Sequence, residues 1–201
     1  PTDAATDAMT DAAADAMTDA MVPLMGETCQ MPEVINFSGG LGNVVISGTT
    51  AQYVNHYAPT CTGFGTAGPD HVYQVEIPNG ARLDAAVTPV TGFDAAIYLI
   101  GAPAANCDAN PITCLAADDS GASGVLDNVR QDNTTGSTVT VFIVIDSTST
   151  TGNSYSLDVT VATIPAVPPG DTCQLAEPIT ITSNMGNATG TTTSAANYVN
   201  N

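Results

Sequence analysis

Lysine is absent, and arginine occurs only at Arg82 and Arg130, against 20 acidic residues, for a formal net charge of −18. Nucleic-acid binding draws its affinity from Lys and Arg displacing phosphate counterions, so this sequence excludes a nucleic-acid partner. An anionic lipid surface is excluded on the same ground. Tryptophan is also absent and aromatics make up 5% of the chain. No apolar run approaches the roughly 18 residues of a membrane-spanning helix, so no membrane insertion is expected. No ten-residue stretch has amphipathic helical spacing. There is no Cys-x-x-Cys, and only His56 and His71 could assist cysteine ligands, which argues against structural zinc. Ser123, in Gly121-Ala122-Ser123-Gly124, does not sit in a Gly-x-Ser-x-Gly elbow. Asp119-Ser120-Gly121 matches the aspartic-protease triplet, but that chemistry needs a second such aspartate to share a proton. No catalytic residue is therefore assigned, and the chain is expected not to be an enzyme.

What is present is β-rich. Charged residues are only 11% of the chain while hydrophobic ones are 43%, enough for a core. Residues 1–25 form a low-complexity stalk or linker in which Asp3, Asp7, Asp11, Asp15 and Asp19 recur every four residues. Like charges at that spacing repel, which favours an extended segment over a helix. From 26 to 163 short alternating runs are punctuated by Gly, Asn, Asp and Pro. Strands are predicted at 34–37, 44–50, 71–77, 82–89, 95–100, 114–116, 126–131, 138–146 and 154–161. The run Thr138–Asp146 turns from alternating to continuously apolar, as in a strand covered on both faces. The predicted fold class is all-β, an antiparallel, jelly-roll-like β-sandwich.

The sequence also repeats itself. Gly26-Glu27-Thr28-Cys29-Gln30 is echoed by Gly170-Asp171-Thr172-Cys173-Gln174, Ile46-Ser47-Gly48-Thr49-Thr50 by Ala188-Thr189-Gly190-Thr191-Thr192, and Tyr53-Val54-Asn55 by Tyr198-Val199-Asn200. A period this long marks tandem domains rather than a solenoid. A Pro-rich linker, 164–169, precedes an incomplete second repeat at 170–201 holding its opening strands. Those strands are expected to be completed by an adjacent repeat or another copy, head to tail, through strand addition.

Cys29, Cys61, Cys107 and Cys114 lie in the first repeat and allow three pairings. The short acidic loop between Cys107 and Cys114 favours bridging these two, leaving Cys29 for Cys61. Cys173 copies Cys29. Paired cysteines suit an extracellular or cell-surface setting; the sequence opens at Pro1, so a secretion signal is expected to have been removed or to lie upstream.

The order of motifs is informative. It runs Gly-Asp/Glu-Thr-Cys, Gly-Thr-Thr, Gly68-Pro69-Asp70-His71-Val72-Tyr73, Phe93-Asp94-Ala95-Ala96-Ile97-Tyr98-Leu99, Cys114-Leu115-Ala116-Ala117-Asp118-Asp119-Ser120-Gly121, Phe142-Ile143-Val144-Ile145-Asp146 and Gly152-Asn153-Ser154-Tyr155-Ser156-Leu157-Asp158-Val159. This resembles the bacterial pre-peptidase C-terminal domain family, in its disulfide-bearing form, over residues 26–162 and again from 170. The resemblance implies a non-catalytic sandwich of the kind appended to secreted hydrolases.

Asp94, Asp118, Asp119 and Asp127 form the candidate metal site. Calcium takes six to eight hard oxygens from carboxylates and carbonyls in flexible loops, and Asp118-Asp119-Ser120-Gly121 offers adjacent carboxylates in a turn. The competing reading is a solvated acidic turn whose side chains cap backbone amides. Asn36, Asn133 and Asn187 each begin an N-glycosylation triplet. The expected function is a non-catalytic structural unit of a cell-surface filament, stalk or adhesin; the alternative is an accessory calcium- or polymer-binding module of a secreted hydrolase.

Overall fold

The computed structural model describes residues 24–63, 65–166 and 178–181. Nearly all of the stalk, most of 170–201, Cys173 and Asn187 lie outside the described residues. Among the described residues nine strands occur: β1 (Glu33–Ile35), β2 (Gly42–Thr49), β3 (His71–Ile77), β4 (Ala81–Pro89), β5 (Ala95–Gly101), β6 (Ala116–Asp118), β7 (Asp127–Asp132), β8 (Val139–Ser147) and β9 (Ser154–Thr163). They form two sheets, ordered β1-β3-β8-β5-β6 and β2-β9-β4-β7. The all-β sandwich expected from the sequence is thus the observed architecture. Every pairing is antiparallel except β1 on β3, which is parallel.

Alternation sets the register. In β4, Ala81, Leu83, Ala85 and Val87 point inward and are buried, and β9 does the same with Tyr155, Leu157, Val159 and Val161. They meet Tyr73, Val75 and Ile77 of β3, Ile97 and Leu99 of β5, and Ile143 and Ile145 of β8 in one core. Burying a side chain of this size contributes about 1.5–3 kcal/mol. The predicted continuous run is β8, and both of its faces are covered: Phe142 and Val144 turn outward into a second apolar cluster with Val72, Tyr98, Ile100, Tyr57, Cys29 and Cys107.

That second cluster explains a correction to the disulfides. All four cysteines are bridged, but as Cys29–Cys107 and Cys61–Cys114, across 78 and 53 residues, not as Cys29–Cys61 and Cys107–Cys114. The loops that cover the outer face of the β3-β8-β5 sheet come from distant parts of the chain. Each bridge ties one covering loop to another. A Cys107–Cys114 bridge would have tied one loop to itself and left the cover unfastened.

The strand predicted at 114–116 lies two residues later, at Ala116–Asp118, opposite Leu99–Ile97 of β5. Asp118 therefore belongs to a strand end and not to the loop. At the N-terminal side, residues 24–35 form a strap over the sheet edge. Gly26 stands at φ 87° with the His71 imidazole only 2.7 Å from where a Cβ would be, so both backbone conformation and space require glycine there.

Candidate functional site

The ladder brings carboxylates together at one end of the sandwich. Asp118 closes β6 opposite Ile97, Asp146 lies on β8 opposite Ala96, Asp94 immediately precedes β5, and Asp127 opens β7 opposite Val87 of β4. Asp119 follows β6. The four predicted metal-site residues thus share one end of the fold. Asp146 adjoins them and pairs with Asp70, two residues that the sequence reading did not include.

Two of the four hold the loop together, as the amide-capping reading expected. Asp118 accepts hydrogen bonds from Ser120 N at 3.2 Å and Asn128 N at 2.9 Å. Asp127, fully buried, accepts one from Gly121 N at 2.6 Å. A Cβ on Gly121 would lie 2.7 Å from an Asp127 carboxylate oxygen, so no larger residue fits that approach. Three oxygens are left over. Asp94 Oδ1, Asp119 Oδ2 and Asp127 Oδ2 are buried without a hydrogen-bond partner. Burial first, then the charges of Asp94, Asp127, Asp118 and Asp146, push the Asp119 carboxyl up to about 6. Burial also raises Asp127, against the pull of the Gly121 amide. Buried, unpaired carboxylate oxygens are costly, and hard oxygens of this type are what calcium takes. The donor set fits a cation in chemistry. In arrangement it is not preassembled: among the described residues no three His, Cys, Asp or Glu side chains stand ready to hold a metal ion.

Deeper in, Asp70 and Asp146 are both fully buried. Asp70 accepts hydrogen bonds from His56 N and Tyr57 N, at 2.5 and 2.8 Å, and the Tyr98 hydroxyl lies 3.4 Å from both carboxylates. Burial and the neighbouring Asp146 charge push Asp70 up to about 9, so the pair holds one proton at neutral pH. Among the described residues no cationic side chain forms an ion pair with either carboxylate. Both arginines are committed elsewhere, Arg82 to Asp132 through two hydrogen bonds of 2.6 and 2.9 Å and Arg130 to Asp84 at 2.6 Å.

His71 lines one face of β3, stacked on Tyr73, and is the hub of a buried polar cluster. Its Nδ1 lies 2.5 Å from the Tyr155 hydroxyl and 3.3 Å from that of Tyr73; its Nε2 lies 3.2 Å from the Tyr53 hydroxyl and 3.3 Å from Glu33 Oε1. Burial lowers the His71 pKa, partly offset by Glu33, and burial raises the phenols of Tyr73 and Tyr155. Burial thus disfavours the charged imidazole and the ionised phenols alike. The cluster works as a fastening: Glu33 comes from the strap, His71 and Tyr73 from β3, Tyr155 from β9. The one signal for it in the sequence was the repeat of Tyr53-Val54-Asn55.

Asn133, the second glycosylation candidate, is 1% exposed, and its amide donates to Ile77 O and Ser137 O. It is a structural tie, closed to glycan transfer in the folded domain. Asn36 is exposed. Two disulfides in one domain indicate an oxidising compartment outside the cytoplasm. Among the described residues no helix is long and apolar enough to cross a membrane.

No family model matches the sequence and no curated protein matches it. Among solved structures the chain is similar to a periplasmic inhibitor of g-type lysozyme, PliG, from Aeromonas hydrophila, at 12% identity and a TM-score of 0.43, over 65% of this chain and 95% of that one. It is also similar to the pre-peptidase C-terminal domain of a collagenase from Bacillus anthracis, at 12% identity and a TM-score of 0.36, over 65% of this chain and 93% of that one. Neither likeness carries a function over to this chain.

Proposed function

We propose that the chain is a non-catalytic structural unit of an extracellular array, a filament, stalk or adhesin built from repeated sandwiches at the cell surface. One observation carries this reading. The stretch that the sequence duplicates, from Gly26 to Gln30, belongs to the strap that the fold uses for fastening, with Cys29 in a disulfide and Gly26 against His71. A second copy of a fastening segment is of use where a second body is fastened. Deleting residues 170–201 should leave the 26–163 sandwich folded, with its circular dichroism and melting transition intact, and abolish concentration-dependent linear multimers of the full chain in sedimentation and electron microscopy. Multimers that persist after the deletion would overturn the array.

A second reading is favoured by the three orphaned oxygens of Asp94, Asp119 and Asp127: an accessory module that binds calcium at its acidic end. The ion would draw these carboxylates inward and neutralise charge that nothing else at that end neutralises. Calorimetric titration with calcium tests it, with Asp119→Asn expected to weaken binding. No heat of binding at millimolar calcium rejects it.

A further inference from the structure

The duplicated segment can be followed residue by residue onto the surface that its first copy occupies. Residues 26–35 read G-E-T-C-Q-M-P-E-V-I and residues 170–179 read G-D-T-C-Q-L-A-E-P-I, identical at Gly, Thr, Cys, Gln, Glu and Ile. Five of those six have a defined job in the first copy. Gly26 accepts a backbone hydrogen bond from Val72 N at 2.7 Å and leaves room for His71. Cys29 bridges to Cys107, and its N donates to the Tyr57 hydroxyl. Gln30 Nε2 donates to Asp108 at 2.6 Å. Glu33 reaches His71, and Ile35 pairs with Val75 and enters the core at 8% exposure. Where the copies differ, the change is tolerable at that place: Val34, which becomes Pro178, is half exposed on a strand that is paired on one side only.

The two copies differ in what covers them. Ile35 is buried and Phe37 packs on the core, while their counterparts Ile179 and Ile181 are 56% and 64% exposed. The strand of the strap is short and at an edge, since β1 has three residues and a single neighbouring strand. We infer that the groove along β3, between His71 and Cys107, accepts residues 170–179 of a second copy of this chain in place of the resident 26–35. This rests on the array reading and names its joint.

The exchange conserves bonds. When the edge strap opens, the Cys173 thiolate of the incoming copy attacks Cys107 Sγ. A Cys173–Cys107 bond forms, the Cys29–Cys107 bond breaks, and Cys29 leaves as a thiolate that takes up the proton Cys173 released; no external oxidant is needed. Glu177 then faces His71, and Ile179 takes the place of Ile35. Repeated from copy to copy, the contact does not close on itself and builds a line.

The test uses the full chain across a range of concentrations at pH 8, with free thiols alkylated and unreduced peptides mapped from the separated monomer and multimer fractions. In the monomer, Cys107 should be bonded to Cys29 with Cys173 alkylated. In the multimer, Cys107 should be bonded to Cys173 with Cys29 alkylated. Cys173→Ser should remove the multimers that survive denaturing, non-reducing electrophoresis, and Ile179→Asp should weaken assembly at least tenfold in both redox states. A multimer that disappears on deletion of 170–201 yet keeps Cys107 on Cys29, or that is joined by Cys173–Cys173, overturns the joint and leaves the array standing. A chain that is monomeric at every concentration overturns both.

Discussion

Strand β7 begins at Asp127 and ends at Asp132, about 17 Å apart at the rise of an extended strand, and the two carboxylates are treated in opposite ways. Asp132 is gripped by Arg82 through two hydrogen bonds, and that guanidinium holds its carboxyl below the usual range. Asp127 is fully buried, shares its surroundings with Asp94, Asp118 and Asp119, and has one oxygen with no partner. Burial raises its pKa. With only two arginines in the chain, both spent away from Asp127, one end of the sandwich is neutralised internally and the other is not. Where charge is left unneutralised in a folded domain, an external cation or bound protons must complete it.

The two ends should therefore respond to pH with opposite signs, and the largest effect is expected at the acidic one. Asp70, and with it Asp146, is raised in the folded state mainly by burial. Its contribution to stability is complete below the unfolded carboxylate pKa of about 3.9 and is lost as pH rises towards about 9. Urea unfolding in chelator should give a stability that falls by roughly 3 kcal/mol between pH 5 and pH 9. Asp70→Asn, whose oxygen can still accept from His56 N and Tyr57 N, should flatten the curve. A stability that rises over this range would mean the pair is not buried as described.

Calcium should reverse much of that loss. At one hundred times the dissociation constant, a bound ion stabilises by about 2.7 kcal/mol, which should raise the melting temperature by several degrees at pH 8. The effect should fade below about pH 6, where Asp119 takes up its proton, and vanish in Asp119→Asn combined with Asp127→Asn. Differential scanning calorimetry with calcium and with chelator separates these cases.

A smaller effect isolates the repulsion itself. In chelator at pH 8, Asp119→Asn removes one of the crowded charges and should stabilise by about 1 kcal/mol, after allowance for solvent screening. A destabilised variant would show that Asp119 is held by a partner and not merely confined. The smallest change belongs to the neutralised end. Arg82→Ala should cost about 0.5–1 kcal/mol at pH 7 and nothing measurable at a pH acidic enough to protonate Asp132, because a lowered carboxylate contributes only above its folded pKa. An Arg82 effect that persisted at low pH would assign its role to packing.

Much of the fold was legible in the sequence because it follows from periods. Alternation and apolar runs placed eight of the nine strands to within a few residues and β6 two residues early, and the unbroken apolar run at Thr138–Asp146 announced a strand covered on both faces. Asp94, Asp118, Asp119 and Asp127 were grouped in the sequence by residue type and nearness along the chain; that β7, in the other sheet from β5 and β6, brings Asp127 to the same end was not legible there. Asp70 and Asp146 were not legible as a pair. They lie 76 positions apart in the chain and become adjacent only because β3 pairs with β8. The disulfide pairing escaped for a similar reason, since short sequence separation favours Cys107–Cys114 only when the fold makes no other demand.

The sequence by itself determined the strand pattern, the surplus of acid, the scarcity of arginine and the duplication of the strap, because each is a property of residue type and spacing along the chain. The tertiary structure decided which cysteines join, that His71 is enclosed by three tyrosines, and which carboxylates are stranded without partners. These are questions of which distant residues the two sheets and their covering loops bring into contact, and packing in three dimensions answers them, with no trace in the local periodicity.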